Sequence, residues 1–192
     1  MTIVYFVRHC KPDGKNLDDR TRPLTEEGLE DSVKVMEFLK DKDIDVFISS
    51  PYRRSFDTIK KAAEFYHKVI KTDERLRERK AGKGGNTHEM FKKRWADFDY
   101  AEEDGESIGS VQKRNIEALN EILEKYQGKN IVIGTHGTAL SSILNHYDPH
   151  FTVESFMKII DFMPYIVKMK FDGNTLVSKE DAFFIKKEYK GI

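Results

Sequence analysis

Apolar residues along the chain follow two rhythms. Short, mostly apolar runs rich in β-branched and aromatic side chains occur at residues 2–7, 44–48, 69–71 and 130–135 and predict strands. Elsewhere apolar positions recur every three or four residues. Leu29, Val33, Val35, Met36 and Leu39 line one predicted helix, which Thr25 would cap with Gly28 at the third helical position. Val111, Ile116, Leu119, Ile122 and Leu123 line a longer helix opened by Ser107. Pro51 suits the first turn of a helix running to about residue 67, and Gly137-Thr138 starts another. Near the end, residues 165–171 and 175–178 flank Asp172-Gly173-Asn174, which reads as a hairpin or an antiparallel edge.

The polar stretches complete the plan. Residues 11–22, with Pro12, Asp13 and Gly14, form a loop after the first strand. Three glycines within residues 81–86 mark a flexible connection to a short helix at 88–95, and residues 96–105 are acidic and loop-like. Strands alternating with helices predict an α/β fold. It would be a three-layer α/β/α sandwich with a mainly parallel central sheet and an antiparallel edge strand. The expected organisation is a single domain over 1–192, with a small insertion at about 82–105 capping the site.

Composition narrows the function. Lys+Arg and Asp+Glu balance at 33 each, so no global field favours nucleic acid or an anionic membrane, and any anion site must be built locally. Hydrophobic residues make up 39% and charged residues 34%, with a mean hydropathy of −0.62, which predicts a heavily charged surface. No apolar run approaches the ~20 residues needed to cross a bilayer. One cysteine and the lack of a leader-like N-terminus suggest a reducing, cytoplasmic setting. Oligomeric state is open, a homodimer included.

Three predicted strands end in residues that packing does not explain: Arg8-His9, the Ser49-Ser50-Pro51 run followed by Arg54, and His136. Parallel strands place their carboxyl ends on one edge, so these groups can converge on a ligand crevice. Guanidinium forks match phosphate oxygens bidentately, and helices starting near Pro51 and Gly137 would add N–H groups for an anion.

These residues carry a family resemblance. Arg8-His9 after a strand, Leu24-Thr25-x-x-Gly28, Ser50-Pro51-x-x-Arg54-x-x-x-Thr58, Leu76-x-Glu78, Gly105-Glu106-Ser107 and His136-Gly137 resemble, in order, the histidine phosphatase superfamily, the phosphoglycerate-mutase-like clan. The resemblance implies a phosphohistidine mechanism without metal or cofactor. His9 would be the nucleophile, Arg8, Arg54 and His136 the phosphate pocket, and Glu78 the proton donor. The physics agrees. Neighbouring cations disfavour the protonated form of a histidine, and an acceptor on its other nitrogen fixes the tautomer. A buried glutamate beside phosphate can hold a proton for the leaving alkoxide.

Departures from the family pattern favour a phosphatase acting on small phosphorylated metabolites. Cys10 replaces the usual glycine, and Pro12 and Lys15 stand where mutases carry a hydroxyl and an amide. The insertion lacks the paired arginines of mutases and offers Lys92, Lys93 and Arg94. Lys11, Lys15 and Arg94 could bind a second anionic group, or form a solvated basic face. A mutase-type phosphoryl transferase and a non-catalytic phospholigand-binding protein are the alternatives. His9-Cys10 also resembles a tyrosine-phosphatase loop, but Asn16 stands where that loop needs arginine. Glu74, Glu89 and Glu106 rival Glu78. His146 and His150 share an i, i+4 spacing that Pro149 interrupts, and Phe91, Trp95 and Phe98 would roof the pocket or simply pack the insertion.

Overall fold

The computed structural model describes residues 1–188, so residues 189–192 of the expected domain lie outside the described residues. The first apolar run is strand β1 (Thr2–Arg8), buried along almost its whole length. Its side chains alternate between two cores. Val4 and Phe6 enter one, while Tyr5 and Val7 enter the other. A strand covered on both faces reads as a continuous apolar run, which is why it was so visible.

Helix α1 (Glu26–Leu39) follows, with the Thr25 hydroxyl accepting the Gly28 N–H at 3.0 Å. A Cβ at Gly28 would collide with the Lys11 carbonyl, which also accepts the Thr25 N–H at 3.0 Å. Glycine here lets α1 press against the segment that leaves His9. Strand β2 (Val46–Ser49), helix α2 (Arg53–Phe65) and strand β3 (Ile70–Thr72) come next. Helix α2 starts two residues after Pro51, because the Ser50 hydroxyl takes the Tyr52 N–H and turns the chain first.

Helix α3 (His88–Ala96), helix α4 (Ile108–Lys125), strand β4 (Asn130–Thr135) and helix α5 (Gly137–Tyr147) complete the alternation. Ser107 caps α4 by accepting the Ser110 N–H at 3.1 Å. A short helix, α6 (Val153–Ile159), then leads into β5 (Phe162–Asp172) and β6 (Thr175–Lys186). Periodicity did not mark α6, which is only seven residues long.

Among the described residues the six strands form one sheet in the order β3-β2-β4-β1-β5-β6. The first four are parallel, β5 runs against β1, and β6 runs against β5. Of the two expected readings, the hairpin holds: β5 and β6 form a two-stranded antiparallel edge, and β6 runs on to Lys186, past the expected 178. Helices α1 and α2 pack with the Tyr5–Val7 core on one face, and α4 and α5 with the Val4–Phe6 core on the other. The chain leaves β1 towards one layer and leaves β4 towards the other. Their adjacent carboxyl ends thus form a topological switch point, where a crevice opens.

Candidate active site

Three strand ends meet at this crevice. The His9 N–H donates to the Thr135 carbonyl at 3.2 Å and the Ser50 N–H to the Gly134 carbonyl at 3.0 Å, extending the sheet pairing past β1 and β2. His9 and His136 come together, ring centroids 5.4 Å apart. Both are buried.

The His9 tautomer follows from its neighbours. Nδ1 lies 2.7 Å from the Cys10 carbonyl, which can only accept, so Nδ1 carries the proton and Nε2 presents a lone pair. Burial and then the Arg54 and Arg8 charges push the His9 pKa well below its ordinary 6.5. The ring is neutral near pH 7. His136 is depressed in the same direction, first by burial and then by Arg54. Its Nε2 lies 2.7 Å from the Ser50 hydroxyl, whose oxygen already accepts from Tyr52 N–H. This bond ties the His136 tautomer to the direction in which the Ser50 hydroxyl points, while Nδ1 has no protein partner.

Arginines surround the pair. Arg8 donates from Nη1 to the Ile159 carbonyl at 2.8 Å and from Nη2 to Ile160 at 2.9 Å, and its guanidinium lies against Gly137. A Cβ at Gly137 would sit 3.3 Å from Arg8 Nη2, so a larger residue would displace it. Arg54 is buried, donates to the Asp19 carbonyl at 2.5 Å, and pairs with the Asp19 carboxylate at 3.1 Å. Thr58 holds the two sides together, accepting the Cys10 N–H at 2.9 Å and donating to the Arg54 carbonyl at 2.7 Å. Burial raises the Cys10 thiol to about 12, so it stays protonated.

Glu78 closes the crevice from the other side. Its Oε1 accepts from Arg79 N–H at 2.8 Å and Ala139 N–H at 3.1 Å, and its Oε2 from Thr138 N–H at 3.0 Å. The carboxylate therefore caps the start of α5. Those N–H groups were expected to face a bound anion; the structure gives them to Glu78 instead. Its rivals have other tasks. Glu74 pairs with Arg20, Glu106 pairs with Arg114 and Arg77, and Glu89 lies outside the cavity lining.

Arg8, His9, Arg54 and Glu78 line one cavity of about 330 Å³, whereas His136 touches His9 but does not itself line the cavity. Three further proposed contacts fall elsewhere. Lys11 pairs with Glu27 on α1 at 2.6 Å, and Lys15 is exposed; neither lines the cavity. Arg94 is buried, bound to Glu102 through Nε at 2.5 Å and to Asn86 through Nη1 at 3.0 Å, so it ties down its own loop. In place of these, the cavity gains Arg22, Asp19 and Arg79. Arg22 is buried, pairs with Asp19 at 3.2 Å and adds its charge beside His9. Sequence reading missed it because it lies in a polar loop with no periodicity. Phe91 reaches the cavity, whereas Trp95 and Phe98 pack beside it. Helix α5 ends at Tyr147, before His150, and no metal-holding group of three His, Cys, Asp or Glu side chains occurs among the described residues.

Known proteins resemble this chain. The model of the histidine phosphatase superfamily (branch 1) matches residues 4–178. An uncharacterized phosphatase, PhoE, of Bacillus subtilis is 28% identical over 150 residues, 75% of this chain and 76% of the relative. A 2,3-bisphosphoglycerate-dependent phosphoglycerate mutase of Thermoplasma acidophilum is 27% identical over 160 residues, 77% of this chain and 76% of the mutase. The fold matches the crystal structure of Entamoeba histolytica phosphoserine phosphatase in complex with 3-phosphoglyceric acid, with TM-score 0.75 and 22% identity over 99% of this chain and 98% of that one. With a family model spanning both histidines, both arginines and Glu78, the chain belongs to the histidine phosphatase superfamily, branch 1.

Proposed function

We propose that the chain is a metal-independent phosphomonoesterase acting on small phosphorylated metabolites through a phosphohistidine. The observation that carries this reading is the His9 ring: neutral, with Nδ1–H held by the Cys10 carbonyl and Nε2 beside a cationic cavity. In the first step the Nε2 lone pair attacks phosphorus and the ester P–O bond breaks. The leaving alkoxide takes a proton from Glu78. In the second step water attacks phosphorus, the P–N bond breaks with its electrons returning to Nε2, and the water proton passes to Glu78. The arginines, with His136 beside His9, stabilise the equatorial oxygens of a metaphosphate-like transition state.

A mutase needs a substrate that stays bound while the phosphoryl group returns to it. Pro12 lines the cavity and Lys15 lies outside it, so neither of these two positions supplies the hydroxyl or the amide that mutases carry there. This supports hydrolysis, although one curated relative is a mutase. A panel of phosphate monoesters, with 3-phosphoglycerate also assayed for mutase activity, tests the reading. Hydrolysis unaffected by EDTA, an acid-labile phosphoenzyme, loss of turnover in His9→Ala and retention in Cys10→Ser are expected. Restoration by a divalent ion after EDTA, or phosphoglycerate interconversion exceeding hydrolysis, would overturn it. Binding of phosphate with no turnover would leave a phospholigand-binding protein.

A further inference from the structure

The cavity has two unlike parts. Its charged lining consists of Arg8, Arg22, Arg54 and Arg79 against the Asp19 carboxylate, with Glu78 as the acid of the proposed mechanism. This cationic end receives the phosphate dianion. The cations that could have received a second anion are engaged or distant. Arg79 Nη1 serves the Glu102 carboxylate at 3.2 Å and the Glu106 carbonyl at 3.0 Å; Arg94 is locked on Glu102, and Lys11 on Glu27.

Apart from His9, Asn86 and Thr138, the rest of the lining is apolar: Leu17 at the rim, with Phe91, Phe156, Ile160 and Met163 among the buried residues. This wall is built onto the phosphate side. The turn whose Ile159 and Ile160 carbonyls hold Arg8 also presents Ile160, and β5 then brings Met163. Phe91 and Phe156 meet edge to face, centroids 5.2 Å apart, and Trp95 backs Phe156 at 5.7 Å. Aromatic rings prefer such offset and edge contacts, so the wall suits another ring. A carboxylate placed there would lose its water without gaining a partner.

We propose that the preferred substrates are monophosphate esters of uncharged alcohols bearing an aromatic group, with the ring against Phe91, Phe156 and Leu17. The proposal rests on the phosphatase reading. It sets this chain apart from a protein fitted to phosphoglycerate.

The test compares 2-phenylethyl phosphate, ethyl phosphate, 3-phosphoglycerate and phosphoserine. The first two release alcohols of similar acidity, so the ring is the main variable. Burial of the ring on binding raises kcat/KM, and we expect 2-phenylethyl phosphate to exceed each of the others at least about tenfold. Leu17 is 86% exposed, so Leu17→Glu leaves the core intact, and we expect it to lower the phenylethyl-to-ethyl ratio several-fold. A ratio near one, a ratio unchanged in Leu17→Glu, or 3-phosphoglycerate as the better substrate would overturn the proposal alone. Failure to hydrolyse any ester would remove the phosphatase reading, and this one with it.

Discussion

At the residue scale, one main-chain carbonyl and one hydroxyl decide what the two histidines can do. The Cys10 carbonyl aims the lone pair of His9 and the Ser50 hydroxyl holds the His136 ring through Nε2, from distances of 2.7 Å each. Glu78 is the least simple of the site residues, because three backbone N–H groups converge on its carboxylate. In Glu78→Gln an amide NH2 would face at least one of those donors, so the variant changes packing as well as proton transfer. Its signature should still be chemical. We expect alkyl phosphates to slow by about 10²-fold or more, within the range for general acid catalysis, and p-nitrophenyl phosphate much less. Equal losses for both esters, with thermal stability measured alongside, would assign Glu78 a purely structural role.

At the element scale, the segment carrying Glu78 has little regular structure of its own, only a short 3-10 turn at Glu74–Leu76. What holds it is Arg114 on α4. Its Nη1 donates to the Arg75 and Arg77 carbonyls at 2.6 and 2.7 Å, its Nη2 to the Glu78 carbonyl at 3.1 Å, and its Nε to Glu106 at 2.7 Å. Arg114 and Glu106 are largely buried, at 12% and 13% side-chain exposure. Removing one member of such a buried pair costs about 3–5 kcal/mol. Arg114→Met should therefore destabilise the fold and also show the leaving-group selectivity of Glu78→Gln. If Glu78 acts through this clamp, the two substitutions will be non-additive in kcat/KM for alkyl phosphates. Full additivity would separate them.

At the scale of the whole molecule, two buried neutral histidines link stability to pH. The unfolded chain binds their protons from about pH 6.5 downwards. The native protein binds them only well below that, since both pKa values are depressed. Stability contributed by these groups is thus fully present above pH 6.5 and is lost as pH falls through the window below it. The limiting slope is about 1.4 kcal/mol per pH unit for each histidine. Each kcal/mol corresponds to about 2–4 °C in Tm for a domain of this size. Thermal unfolding followed from pH 7 to pH 5 should show a steeper decline in the parent than in a His9→Asn/His136→Asn double variant. Parallel curves would place the acid sensitivity in other groups.

The sequence alone determined a good deal here. Strand β1 was legible because both its faces are buried, and Thr25 and Ser107 because their hydroxyls satisfy local N–H groups within three residues. The Arg8-His9, Arg54 and His136 motifs were also legible, since each lies where a regular element starts or ends, whereas Glu78 was marked by the family resemblance alone. Other features depend on partners far along the chain. Helix α6 is too short to show a period, and most of β6 is exposed, its strand form set by pairing with β5. Glu78 found its N–H donors at the start of α5, Arg22 joined the site through Asp19, and Arg94 left it for Glu102. A charged side chain binds whatever opposite charge folding brings near, and a linear pattern of hydrophobic and polar residues does not encode that pairing. Tertiary structure alone decided that Arg22 and Arg79 join Arg8 and Arg54 at the cavity and that Lys11, Lys15 and Arg94 do not.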